Sequence, residues 1–467
     1  MLRTPFIWAY ALVLTFALTV SARAVEVQEV VSDRGVKALL VEDYTVPLVA
    51  LSFSFKGGAA QDAPGKEGTA QLLTTLLDEG AGDIGSEAFL ARLEELGIQY
   101  GFDAGPDSFS GSVFTLKSTA DEAFELIGKA LADPRLDPEP IERMRTAALV
   151  SLRAKEADPG TLAGEAFRET VFGDHPYGRP VDGTIPSVSA ITREDVDAFR
   201  RRTFARDNLT VGVVGAISAD ELKRQLDTLF GDLPEQAELR PVPEAAIDTG
   251  ERRHVDLDVP QTSIAFALPG LKRDDEDFFA LYLVNHILGG GSFNSRLYEE
   301  VREKRGLAYS VYSYLATRDH AAFVGAGSAT RADRAGQTVD IMRAELERIA
   351  TEGPTPEELE AAKEFIKGTY AISNLDTSQK IAGVLVAIQE DDLGLDYIDR
   401  RKDLIDAVTI EDARRVAAEI LSADPTIITV GRPIAANDNA PAKAEPAQAE
   451  PVQAEPVQAE PGKAKEG

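Results

Sequence analysis

Arg302 and Tyr309 stand seven residues apart, where a helical pattern gives way to a strand-like one, and together they offer the donors of an anchor for a peptide carbonyl or carboxylate. They lie in the stretch from Gly289 to Leu315, GGGSFNSRLYEEVREKRGLAYSVYSYL. Gly289, Gly290 and Gly291 are expected to stop one helix, Ser292 or Asn294 to cap the next, and Gly306 to close it. Between the caps, Arg296 with Glu300 and Glu300 with Lys304 are spaced to pair along the outer face, while Leu297 and Val301 turn inward. After Gly306 the period changes to two, which places Leu307, Tyr309, Val311 and Leu315 on one face of a strand and Ala308, Ser310 and Tyr312 on the other. Local pattern alone leaves two readings open: a binding pair, or polar residues that stitch helix to strand.

Other chemistry is scarce. The four histidines, His175, His254, His286 and His320, include no two that are four residues apart, so the helical two-histidine zinc arrangement is absent, and each reads as a structural or surface histidine. No Gly-x-Ser-x-Gly elbow occurs, and Gly65-Lys66-Glu67 lacks the spacing and the hydroxyl of a phosphate loop. The absence of cysteine excludes disulfides, thiol catalysis and thiolate metal sites.

The elements that must position the pair belong to a chain of 467 residues, long enough for two or more domains. Its formal charge is −29, which makes nucleic acid and anionic membrane surfaces poor partners. Residues 1–24 read as a cleaved secretory signal: Arg3, an apolar run from Phe6 to Val20 too short for a stable membrane anchor, then Ala22-Arg23-Ala24. Export through it implies a periplasmic location.

Strands are expected within 26–56, where Leu51, Phe53 and Phe55 alternate with polar residues, and helices over 67–78 and 86–96. Two strands follow across 98–116, helices over 119–132, 137–156 and 160–172, a helix over 193–204, a strand over 209–214 and a helix over 219–230. The second half repeats this order. Val46-Pro47 with Leu51, Phe53 and Phe55 matches Val259-Pro260 with Ile264, Phe266 and Leu268, and Thr192, Glu194, Asp195 and Asp207 match Thr409, Glu411, Asp412 and Asp424. The expected fold is α+β: a tandem repeat of two homologous α/β units, each a largely antiparallel sheet packed with helices. The units span 25–235 and 251–433, joined by a proline-rich linker over 236–250 and followed by a disordered Ala/Glu/Pro/Gln tail over 434–467.

The order Gly57-Gly58, GKEGTAQLLTTLLDEGAG, HPYGRP, an apolar strand ending VVG, and SRLYEEVREKRGLAYSVYS resembles the pitrilysin and insulinase (inverzincin) metallopeptidases. The likeness spans about residues 27–433 and is nearest to short, two-domain bacterial proteins related to the mitochondrial processing peptidase. In active members a first-half helix carries His-x-x-Glu-His, which holds zinc and supplies the general base. The resemblance lays those positions on Gln71, Thr74 and Thr75. It lays the third ligand within Ala147–Leu152, where no residue is acidic. An amide and two hydroxyls do not hold zinc usefully, so no metal or other cofactor is expected in this chain.

The resemblance also implies that Arg302 and Tyr309 hold substrate backbone beside a zinc site. The implied function is a non-metal subunit of a heterodimeric zinc peptidase, with zinc in a homologous partner, peptide as substrate, and Arg302 and Tyr309 acting in trans. The alternatives are an inactive structural or assembly protein, or a homodimeric peptide binder of the same fold.

Overall fold

The computed structural model describes residues 26–433; the expected signal segment and tail lie outside these. Alternating apolar residues build two sheets. The first contains β1 (Gln28–Val31), β2 (Lys37–Glu42), β3 (Leu48–Lys56), β4 (Gln99–Ala104), β5 (Ser108–Leu116) and β6 (Leu209–Gly215), in the order β1-β2-β6-β3-β5-β4. The second contains β7 (Arg252–Asp256), β8 (Gln261–Pro269), β9 (Ala308–Arg318), β10 (Ala321–Arg331) and β11 (Thr426–Gly431), in the order β9-β10-β8-β11-β7. Apart from the extra edge strand β1, the two orders are one pattern. In each, the first and last strands of the repeat run parallel, β2 with β6 and β7 with β11, and the other pairs are antiparallel.

The repeat extends to register and caps. Phe53 lies opposite Gly111 and Val211, and its counterpart Phe266 lies opposite Ala326 and Ile427. Thr192 with Asp195, and Thr409 with Asp412, each form a reciprocal capping box at the start of a helix. The architecture is thus the α+β tandem repeat that the sequence pattern implies.

Six helices matter below: α1 (Thr69–Thr74), α2 (Pro159–Phe172), α3 (Phe278–Asn285), α4 (Pro356–Asn374), α5 (Ser378–Glu390) and α6 (Tyr397–Asp406). The helix expected over 67–78 is only α1, which tightens at once into i−3 turns through Thr75, Leu76 and Glu79. The Thr74 and Thr75 hydroxyls donate to carbonyls three residues back, Gln71 O and Leu72 O, and this competes with continuation of the helix.

Each sheet packs helices of its own half on one face. A core around Phe53, Phe55, Phe109, Phe204 and Phe230 fills the first half, and one around Phe266, Leu281, Leu297 and Val301 the second. The opposite faces are covered by exchange. α2 places Ala163, Ala166, Phe167 and Val171 against Ala267, Phe323, Ile428 and Val430 of the second sheet. In return, α5 places Ala382, Leu385 and Ile388 against Leu39, Ala50 and Val214 of the first. The approach is close enough that a Cβ on Gly212 would stand 2.3 Å from Ala382 O. Residues 234–250 carry no regular structure, yet they are held: Gln61 exchanges hydrogen bonds with the Arg240 backbone at 2.9 and 2.7 Å, and Ala245 N–H donates to His320 O at 2.8 Å.

Candidate functional site

The segment that carries Arg302 begins where α3 ends. The chain opens into a wide π-helical turn over His286–Gly290, after which Gly291 N–H donates to His286 O at 2.8 Å. The three glycines provide room: a Cβ on Gly289 would lie 2.6 Å from Ser313 N, and one on Gly291 2.7 Å from His286 O. The helix end therefore rests directly on β9. A second π-helical turn spans Tyr298–Glu303, with Lys304 N–H donating to Glu299 O at 2.9 Å. Gly306, at φ +60°, then closes the helix. Its N–H bonds Arg302 O at 2.9 Å, and Leu307 N–H bonds Val301 O at 3.0 Å.

Two sequence expectations change here. Arg296 does not pair with Glu300 on an outer face. It is buried and forms a two-pronged pair with Glu358 of α4 at 2.7 and 2.6 Å, with a further bond to Gly353 O at 3.1 Å. Glu300 is also buried and accepts from Lys304 at 2.6 Å and Arg305 at 2.5 Å; these cations hold its carboxyl below the usual glutamate range.

Tyr309 does not share a face with Leu307, Val311 and Leu315. β9 bulges there: Ala308 lies opposite Thr330 and Ser310 opposite Ala329, so Tyr309 is the extra residue. The alternation resets, Ala308 and Val311 both turn inward, and Tyr309 is left 82% exposed.

The bulge and the closing turn bring Arg302 and Tyr309 together. The Arg302 guanidinium carbon stands 4.6 Å from the centre of the Tyr309 ring and 4.9 Å from that of Tyr298. Among the described residues Arg302 makes no ion pair, and neither its guanidinium nor the Tyr309 hydroxyl makes a hydrogen bond, so the contact is ring against cation with donors left over. β9 is an edge strand. It can accept an extended peptide by strand addition, with a guanidinium and a phenol beside the incoming carbonyls.

Of the positions that the resemblance lays on a zinc motif, Gln71 and Thr74 lie in α1 and Thr75 lies just past its end. Gln71 is half-buried, Thr74 buried and Thr75 exposed, with both hydroxyls engaged as described. The acids that follow are also engaged: Asp78 accepts from Tyr100 Oη at 2.9 Å, and Glu79 accepts from Ser86 Oγ at 2.5 Å and from Arg143. The Gln71 amide and the two threonine hydroxyls do not suit zinc, and the two carboxylates are committed to other partners. Among the described residues, no three His, Asp or Glu side chains group to hold a metal ion.

The histidines are dispersed. His175 Nδ1 accepts from Tyr177 N–H at 3.1 Å, His254 meets Thr429 Oγ1 at 2.8 Å, His320 faces Glu244 at 3.3 Å, and the His286 ring packs 5.1 Å from that of Phe365. One residue that pattern reading passed over is Asp62. It is buried, accepts from Gly68 N–H at 2.8 Å and Ala70 N–H at 3.0 Å, and so anchors the start of α1; burial pushes its carboxyl up to about 7. An acid shortly before a glycine-opened helix was the available signal.

The sequence also matches two family descriptions in succession: Insulinase (Peptidase family M16) over residues 37–185, and Peptidase M16 inactive domain over residues 190–366. An uncharacterized zinc protease of Mycobacterium leprae is 31% identical over 319 residues, 66% of this chain and 69% of the relative. A non-peptidase homolog, YmxG, of Helicobacter pylori is 26% identical over 373 residues, 79% of this chain and 85% of the relative. The crystal structure of a peptidase M16 inactive domain from Pseudomonas fluorescens superposes with a TM-score of 0.83 at 28% identity, covering 88% of this chain and 98% of that one. Duplicated sheets, an α1 face without zinc ligands and these likenesses agree: the chain belongs to the insulinase family, peptidase family M16, as a member that lacks the family's zinc-binding residues.

Proposed function

We propose that this protein is the non-metal subunit of a heterodimeric periplasmic zinc peptidase, exported through residues 1–24, and that it supplies Arg302 and Tyr309 in trans to substrate at its partner's zinc site. The observation that carries this reading is a contrast within one chain. The positions that the resemblance lays on the zinc motif carry Gln71, Thr74 and Thr75, whereas Arg302 and the exposed Tyr309 are built together, with unspent donors, on an edge strand. A burial-driven structure has no need of an 82% exposed tyrosine on a bulge. Presented to a peptide, the guanidinium fork and the phenol O–H would bind backbone carbonyl oxygen and stabilise negative charge that develops on it. The zinc and the general base belong to the partner.

The test is to mix the purified chain with a family member that carries an intact His-x-x-Glu-His. Peptide hydrolysis that appears only in the mixture supports the reading; stoichiometric zinc in this chain alone, or no gain on mixing with any such relative, overturns it. A second reading, a peptide binder without chemistry, draws support from the exposed row Tyr309, Tyr312 and Tyr314 on β9 and from the relative described as a non-peptidase homolog. Calorimetry with unfolded peptides on the isolated chain separates the two.

A further inference from the structure

Away from the sheet edge, α3, α4, α6 and the loop before α3 line an open cavity of about 300 Å³ whose walls include Arg273, Phe278, Phe279, Tyr370, Tyr397 and Arg401. Arg401 is only 7% exposed, and its guanidinium carbon lies 4.1 Å above the Tyr370 ring. Among the described residues it has no hydrogen-bond acceptor and no carboxylate within ion-pair distance. Its donors are therefore left for solvent or for a ligand in the cavity. Arg273 enters the same cavity stacked on Phe278 at 4.2 Å and Phe279 at 5.1 Å. It donates to Tyr397 Oη at 2.6 Å, and the nearest carboxylate oxygen, on Asp391, stands off at 3.9 Å. Tyr397 and Arg401 are one turn apart on α6, so the ring and the cation share a face.

We infer that this cavity is a binding site for a small carboxylate with an aromatic or apolar body, its carboxylate held by Arg401 with Arg273 beside it and its body against the rings of Phe278 and Tyr370. Two arginines supply the bidentate geometry that carboxylates select. The volume suits one ring with a short arm, and the lining mixes aromatic rings with polar groups such as Thr369, Ser373 and Asn374. The shared chemistry has two sources: a free aromatic acid, or the C-terminal residue of a peptide. The site is independent of Arg302 and Tyr309, so it stands or falls separately from the peptidase reading.

Calorimetry on the intact chain tests it, with phenylacetate, N-acetylphenylalanine and N-acetylphenylalaninamide as probes. One of the two acids is expected to bind at a single site, with the amide at least about 10-fold weaker and Arg401→Met lowering acid affinity by roughly 10-fold or more. Tighter binding of phenylacetate identifies a free acid, and tighter binding of N-acetylphenylalanine a peptide terminus. No saturable heat from either acid up to roughly 10 mM, or an amide that binds as well as its acid, overturns the inference on the wild-type chain alone, whatever the stability of the variant.

Discussion

Arg302 sits face-on to Tyr309 at 4.6 Å, across the turn that joins a π-helical segment to the bulged start of an edge strand. Neither residue completes its hydrogen bonding within the described residues, and the pair is oriented by ring contact instead. In a mixture with a zinc-carrying relative, Tyr309→Phe keeps the ring and removes the donor, and it is expected to lower turnover by on the order of 10²-fold with little change in assembly. Arg302→Ala is expected to lose at least as much. Steady-state hydrolysis alongside size-exclusion chromatography reads both; unchanged activity in an intact complex would remove these residues from the chemistry.

The platform under Arg302 depends on a second arginine. Glu358→Ala leaves the buried Arg296 without its carboxylate and also removes the partner of Thr355 in the capping box of α4. A loss of roughly 3 kcal/mol is expected in urea unfolding, with Glu358→Gln costing less. Equal stability of wild type and the alanine variant would show that the pair is not closed in solution.

Asp62 predicts a pH dependence with a defined sign. Burial raises its folded-state pKa from 3.8 to about 7, so the folded chain holds a proton that the unfolded chain releases near its ordinary value. Its contribution is fully present below about pH 4 and declines as pH rises through 7, by on the order of 4 kcal/mol in total. Asp62→Asn removes the titration. The stability difference between wild type and variant, followed by denaturant melts from about pH 5 to about pH 8, is expected to move against the wild type as pH rises. A flat difference refutes the assignment.

Gly212→Ala drives a Cβ to 2.3 Å from Ala382 O and lifts α5 from the first sheet. The expected cost is about 1–3 kcal/mol, with new protease cleavage in residues 378–390. If the thermal midpoint and digestion pattern do not change, the two surfaces are not in contact.

What the sequence showed and what it hid divide along one physical line. Strand alternation at Phe53 and Phe266, the Thr-to-Asp capping boxes and the closing role of Gly306 are local, so residue pattern exposes them. The bulge at Tyr309 is set by the register of β10, and the partner of Arg296 lies on α4, far along the chain. Likewise the apolar faces of α2 and α5 announce that each helix is buried, but they do not say under which sheet. The absence of a His-x-x-Glu-His, with Gln71, Thr74 and Thr75 where the resemblance lays it, was legible because residue type alone carries it. The cavity at Arg401 was not, because its walls come from three separate helices and the loop that carries Arg273.

The exchange of α2 and α5 has a mechanical consequence. Residues 234–250 look like a hinge, but swinging the halves apart about them would strip the roof from both sheets at once and expose Phe167, Val430, Ala382 and Leu385 to water. The two halves are clasped like interlocked hands, so parting them would open two apolar interfaces at once. In the proposed heterodimer, a compartment that admits a polypeptide would then open along the seam between the two molecules, with this chain as the anvil and its companion as the jaw.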